Sequence, residues 1–306
     1  MATLPNDHVI VLCHGFLPGF REYGPNECFR DAARKLQLKG PMKYFRDVAA
    51  NLQLRGNHVI SPEVSRQPGP GSGIEKRAEE LAQQIESKLK ELQLPSNVTP
   101  KVHLIGHCMG GLDARRLVCA QEDARKRGET LAYEVQSVTT VSTPHHGSPA
   151  AACAKTVGYI GLLGLSLTPI VDLMNDSYNA MANLTPEYMA FFNRKYKNVP
   201  TVKYYSVTST FTPQENHLFY LTHKHIKNWK CPNEEHRKAY GENDGMVSVE
   251  SAQWGVPLDI IDQKTSHIGT IGWGILEIAA GDSDYAASDK LYPALVENLA
   301  MNVVPK

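Results

Sequence analysis

The sequence predicts an α/β fold, a mostly parallel central sheet flanked by helices with a helical insertion, on three observations. Short apolar runs, continuous in His8–Cys13 and made by Val102, Leu104 and Ile105 further on, read as strands buried on both faces. Between them lie stretches with apolar residues every three or four positions, the longest carrying Ile74, Ala78, Leu81, Ile85, Leu89 and Leu92. At the centre, Gly106-His107-Cys108-Met109-Gly110-Gly111 joins one apolar run to a helical stretch through Leu112, Ala114, Leu117 and Val118. That is the strand, turn and helix of a nucleophile elbow, with cysteine where G-x-S-x-G has serine.

An elbow lifts its nucleophile above the sheet in a strained backbone conformation, so the positions two before and two after it must lack a Cβ. Gly106 and Gly110 meet that requirement, and Cys108 is the candidate nucleophile. The competing reading is a buried, inert cysteine in a chance pair of glycines.

With 306 residues, 42% of them hydrophobic, the chain can bury one large core, and a single domain over residues 1–306 is expected, with a lid-like insertion at 150–200. Thirty-two basic and 32 acidic residues leave no field to draw nucleic acid or an anionic membrane, so neither is expected as a whole-surface partner. The six cysteines include no C-x-x-C pair and read as mostly reduced thiols, which points to an intracellular protein, cytoplasmic or lipid-associated. The opening residues enter a strand almost at once and lack the basic-then-apolar profile of a secretory signal. Three N-x-S/T triplets, at 97–99, 175–177 and 183–185, then read as chance.

In chain order, the first strand is followed by His14-Gly15-Phe16, where the elbow geometry needs an N–H for an oxyanion hole. Phe16 and Met109 are assigned as its two donors. Residues 17–40 read as a loop with a short helix near 28–36, and residues 41–54 as a crossover helix opened by Pro41. Residues 57–61 form the next strand. Ser72-Gly73-Ile74-Glu75 has the form of a capping box for the helix leading to the elbow strand. Residues 134–142 are strand-like and end in Thr143-Pro144-His145-His146-Gly147, a histidine pair better explained by hydrogen bonding than by metal. Residues 156–171 carry no charge; Pro169, three glycines and a length short of the ~20 residues of a membrane span point to an apolar lid, with a core helix as the alternative. A further helix starts at Thr185-Pro186-Glu187, and a further strand covers residues 202–207.

His217, His223, His225, Cys231 and His236 are zinc-binding types, yet their spacing fits no standard metal pattern. Asp244 stands in the turn cluster Gly241 to Val247, residues 258–261 read as the last strand, His267 lies in the loop after it, and residues 290–303 close the chain as a helix. Nucleophile, acid, histidine is the chain order of elbow hydrolases, here Cys108, Asp244 and His267.

Together the stretches VLCHGF, GSGIEKRAEEL, HLIGHCMGGLDARRL, VTTVSTPHHGSPAA, ENDGMVSVESAQWG and HIGTIGW, spread between residues 10 and 273, make the chain resemble α/β-hydrolase-fold triacylglycerol lipases. The likeness is strongest to the intracellular fungal type, and bacterial true lipases share it. The resemblance implies the α/β-hydrolase fold with a lid, an acyl-ester substrate, transient contact with a lipid surface and no cofactor. It also places Cys108, Asp244 and His267 on the triad and Phe16 and Met109 on the oxyanion hole. Two residues depart from the pattern: cysteine replaces the family's serine, and Gly269 stands where bacterial relatives often have a calcium-binding aspartate.

The cysteine matters because a thiol of pKa ~8.5 leaves a tetrahedral adduct far more readily than an alcohol near ~15.7. Alkyl esters would then tend to expel Cys108 again, whereas thioesters, lactones and activated esters suffer less. A specialised cysteine hydrolase, an acyltransferase like the polyhydroxyalkanoate synthases with their G-x-C-x-G, and a serine-to-cysteine form of a lipase all fit. A non-enzymatic lipid binder fits less well, because binding alone needs neither Asp244 nor His267.

Overall fold

The computed structural model describes residues 2–15, 20–21, 24–25, 43–45, 47–64, 73–95, 97–154, 182–215, 217, 219–229, 241–259, 264–273, 287 and 289–304. The strands are β1 His8–Cys13, β2 Phe20–Arg21, β3 Gly24–Pro25, β4 His58–Ile60, β5 Lys101–His107, β6 Glu134–Val141, β7 Lys203–Val207 and β8 Val256–Pro257. The helices are α1 Val48–Leu54, α2 Ile74–Lys90, α3 Met109–Lys126, α4 Pro149–Ala154, α5 Pro186–Lys195, α6 Tyr220–Asn228, α7 Val249–Ala252 and α8 Leu291–Asn302.

Six strands form a sheet in the order β4-β1-β5-β6-β7-β8, and every pair in it is parallel. The side chains of β1 alternate between two cores, as a strand buried on both faces requires. Val9, Val11 and Cys13 join Ala78, Leu81 and Ile85 of α2 and Ala114 and Leu117 of α3. Ile10 and Leu12 join Val48 and Leu52 of α1 and Leu291, Leu295 and Leu299 of α8. The chain passes from β1 to β4 on one side and returns to β5 on the other, so the carboxyl ends of β1 and β5 flank a topological switch point. Ligands of open α/β sheets bind at such points.

Three expectations change. The first crossover helix begins at Val48, not near Pro41, because Lys43 and Tyr44 turn their carbonyls to the Trp273 indole N–H, at 3.2 and 3.0 Å. The last strand is Val256–Pro257 and not 258–261; Leu258 N–H still donates to Ser206 O at 2.8 Å, and residues 260–261 lie outside the described residues. Proline is tolerated there because β8 is an edge strand. The cap of α2 is not a local box: Gly73 is the N-cap, and Asn183 Oδ1 accepts the Ile74 N–H at 3.0 Å from a distant part of the chain. Glu75, the last residue of that box, accepts the Tyr188 hydroxyl at 3.1 Å. The helix expected near 28–36 and the uncharged run 156–171 lie outside the described residues.

Candidate active site

Cys108 sits between β5 and α3 with φ 53° and ψ −130°, the strained geometry that the elbow demands. Its own backbone is tied to the next strand, with N–H donating to Val141 O at 3.0 Å. A Cβ on Gly106 would lie 2.5 Å from Gly111 Cα, and one on Gly110 would run into the Cys13 carbonyl, so both positions exclude any side chain. Met109 is the first residue of α3, where a backbone N–H has no intrahelical acceptor. That leaves it available to a ligand, as an oxyanion donor must be. Phe16, the other assigned donor, lies outside the described residues.

The structure brings Cys108, His267 and Asp244 together. His267 Nδ1 is 2.8 Å from Asp244 Oδ2, and Cys108 lies close enough to His267 to act on its protonation. Asp244 holds its place through Oδ1, which accepts the N–H groups of Met246 and Val247 at 2.9 and 2.7 Å. The backbone joins in: His267 N–H donates to Asp244 O at 2.9 Å. Burial by itself would pull the imidazole down, yet the charges of Asp244 and Cys108 and the hydrogen bonds to both push it up to about 10. All three side chains are buried.

The residue just before Cys108 takes part as well. His107 Nε2 lies 3.0 Å from the His267 carbonyl, which can only accept, so the ring proton is on Nε2. Its Nδ1 must then accept the Tyr44 hydroxyl, 2.8 Å away. Burial first, and the charge of His267 second, keep His107 well below its ordinary range and therefore neutral. Tyr44 and His107 thus fasten the histidine loop to the elbow strand.

The loop after β1 is fastened from the opposite side. Arg77 of α2 donates to the His14 carbonyl at 2.9 Å and to Asp113 Oδ2 of α3 at 2.9 Å. Both partners of this ion pair are 1% exposed. Burial raises Asp113 to about 6 even against the pull of Arg77. The sequence carried a signal for this pair, because Arg77 stands three residues after Ile74 and four before Leu81, on the apolar stripe itself. A charge at such a position needs a buried partner.

The histidine pair after β6 is committed to other partners. His145 accepts Arg115 on Nδ1 at 3.1 Å and faces Thr140 Oγ1 with Nε2 at 3.0 Å, which leaves no ring nitrogen for a metal. Arg115 itself stacks 3.6 Å over Trp254. Among the described residues no group of three His, Cys, Asp or Glu is placed to hold a metal ion; Cys231 and His236 lie outside them. No helix among the described residues is long and apolar enough to cross a membrane.

Residues 70–231, just over half of the chain, match the family described as PGAP1-like alpha/beta domain. Triacylglycerol lipase 2 of Saccharomyces cerevisiae is 31% identical over 212 residues, which are 69% of this chain and 57% of that protein. The chain therefore spans little more than half the length of this curated relative. Among solved structures, lipase 1 of Pelosinus fermentans superimposes with a TM-score of 0.64 at 18% identity, over 98% of this chain and 100% of the other. The mature lipase BlEst2 of Bacillus licheniformis gives 0.59 at 18% identity, over 88% and 89%.

Proposed function

Because the chain belongs to the PGAP1-like alpha/beta domain family and has the α/β-hydrolase fold, we propose that it is a lipase- or esterase-like hydrolase of carboxylic esters that works through Cys108, His267 and Asp244. The hydrogen bond from His267 to Asp244, beside a cysteine held at φ 53°, carries this reading. The names of the yeast relative and of the superimposed structures agree with it.

In this mechanism His267 holds the proton taken from Cys108, and the thiolate attacks the ester carbonyl. The oxyanion rests on the N–H groups of Met109 and Phe16. The C–O bond breaks as His267 returns the proton to the departing alcohol. Water, deprotonated by His267, then cleaves the thioester and releases the acid. Because Cys108 is the better leaving group in the first adduct, esters with activated alcohols and thioesters should react faster than plain alkyl esters.

The substrate side of the proposal is an apolar acyl ester of the acylglycerol type, met at a lipid surface by an intracellular enzyme. Residues 150–200 would form the lid. Its described end supports that placement: Met189 and Phe192 of α5 pack in one cluster with Cys108, Met109 and Leu112. Acyl transfer to an acceptor other than water is the second reading, favoured by the cysteine alone.

Intact-mass spectrometry during reaction with p-nitrophenyl esters of several chain lengths tests the proposal. Release of p-nitrophenol with a transient acyl adduct that maps to Cys108, both absent in Cys108→Ala, is expected. An adduct that persists until an alcohol or thiol is added would assign a transferase, and no release and no adduct would leave a binding role.

A further inference from the structure

Asp244 Oδ2 accepts two hydrogen bonds, one from His267 Nδ1 and a second, at 3.4 Å, from Ser209 Oγ. Ser209 Oγ is in turn 3.0 Å from Ser142 Oγ. A carboxylate only accepts, so the single hydroxyl proton of Ser209 points at Asp244, and Ser142 must be the donor between the two serines. The order of donation is thereby fixed: Ser142 to Ser209, Ser209 to Asp244. Both serines are buried, at 1% and 3% exposure.

Ser142 has φ 49°, and among the described residues positive φ on a non-glycine occurs only here, at Asn97 and at Cys108. It follows Val141, whose carbonyl receives the Cys108 N–H, and its own N–H donates to Val207 O at 3.0 Å. Two strained residues stand on adjacent strand ends: Cys108 beside His267, and Ser142 at the far end of the hydrogen-bonded run from His267 through Asp244 and Ser209. Serine is not a residue that eases positive φ, so side-chain chemistry rather than backbone comfort accounts for it.

We propose that Ser142 and Ser209 are positioning residues that extend the triad into a five-residue relay, orienting Asp244 and moderating its hold on His267. The proposal rests on the triad reading above. Each donor to a carboxylate lowers its basicity. Without Ser209 the Asp244 carboxylate binds the His267 Nδ1–H more strongly, and His267 keeps its proton to higher pH. The other charged or titratable neighbours are Cys108 and His107 beside His267, and His223 beside Asp244. Burial keeps His107 neutral, and burial together with Lys227 lowers His223, so neither changes charge in the alkaline range where His267 does.

The test is the rate of iodoacetamide labelling of Cys108 from acid to alkaline pH. Ser209→Ala should move the alkaline inflection of the profile upward by about half a unit or more. Ser142→Ala should move it the same way by less, and Ser209→Thr should restore the original profile. Superimposed profiles for the parent protein and Ser209→Ala overturn the relay. If Ser209→Ala does not fold, Ser142→Ala decides by the same criterion, since it leaves Ser209 and its contact with Asp244 in place. The His267→Ala variant separates the two levels of the proposal. Labelling that ignores this change sinks the triad and the relay together; labelling that follows His267 but ignores Ser209 and Ser142 sinks the relay alone.

Discussion

Two buried histidine pairs share strand β5, and His267 of the second pair has an electrostatic fate opposite to that of His103 in the first. Toward the start of the strand, His103 Nε2 lies 2.7 Å from His8 Nδ1 and its Nδ1 lies 2.8 Å from Ser137 Oγ. Burial drives His103 down to about 3, and the neighbouring His8 adds to the effect. At the end of the same strand, His107 and His267 have ring centroids 4.6 Å apart. Here burial is as complete, yet His267 is raised to about 10 because Asp244 and Cys108 supply negative charge and direct hydrogen bonds. An imidazole surrounded by neutral partners is forced to give up its proton; one set between a carboxylate and a thiol retains it. Burial alone therefore does not decide a histidine's charge.

The comparison can be broken most directly at Asp244. Asp244→Asn gives His267 the neutral surroundings of His103, and ester hydrolysis should fall by about 10³–10⁴-fold in kcat/KM. A loss of less than about tenfold would mean that Asp244 is not the partner that matters. Removing the other negative group has a smaller effect of opposite sign. Cys108→Ser should raise turnover on tributyrin by at least about tenfold, ~1.4 kcal/mol in the barrier, since serine is no better a leaving group than the substrate's alcohol. A serine form that is no faster on tributyrin or on an acyl thioester would make the cysteine an adaptation in its own right.

The smallest effect is on stability and sharpens the contrast through its sign. His103 has a folded value of about 3 against an ordinary 6.5, so the unfolded chain takes up its proton first as the pH falls. Its contribution is present above 6.5 and is lost between 6.5 and about 3. His267, raised from 6.5 to about 10, contributes fully below 6.5 and loses that contribution as the pH climbs through about 10. Urea midpoints should therefore decline on both sides of a neutral plateau; a midpoint that is flat on the acid side would show that the His8–His103 pair carries no such linkage.

Local pattern made the strands and the elbow legible, because apolar runs and glycine spacing are set within a few residues. His8–Cys13 stands as expected, and the glycines around Cys108 have the steric role assigned to them. Long-range partners defeated the local reading elsewhere. Trp273 claims the carbonyls of Lys43 and Tyr44 and so delays α1, and Asn183 caps a helix that its own sequence seemed to cap. The order Cys108, Asp244, His267 was readable from the chain, whereas Tyr44, His107, Ser142 and Ser209 were not. Their roles arise from contacts between strands and loops far apart in sequence. Arg77 is the intermediate case: its place on the apolar stripe announced burial, but nothing local named Asp113 as its partner.

The bond from His107 Nε2 to the His267 carbonyl joins positions 160 residues apart. A ribosome delivers the elbow, Gly15 and Arg77 long before it delivers either Asp244 or His267. During that interval the nascent chain holds a cysteine with no base to deprotonate it, and a histidine beside it whose ring proton has no carbonyl to meet. On the triad reading, Cys108 is therefore unassisted until the His267 loop docks. Losing the carboxyl-terminal portion likewise removes both acid and base and leaves Cys108 with only the reactivity of an ordinary thiol.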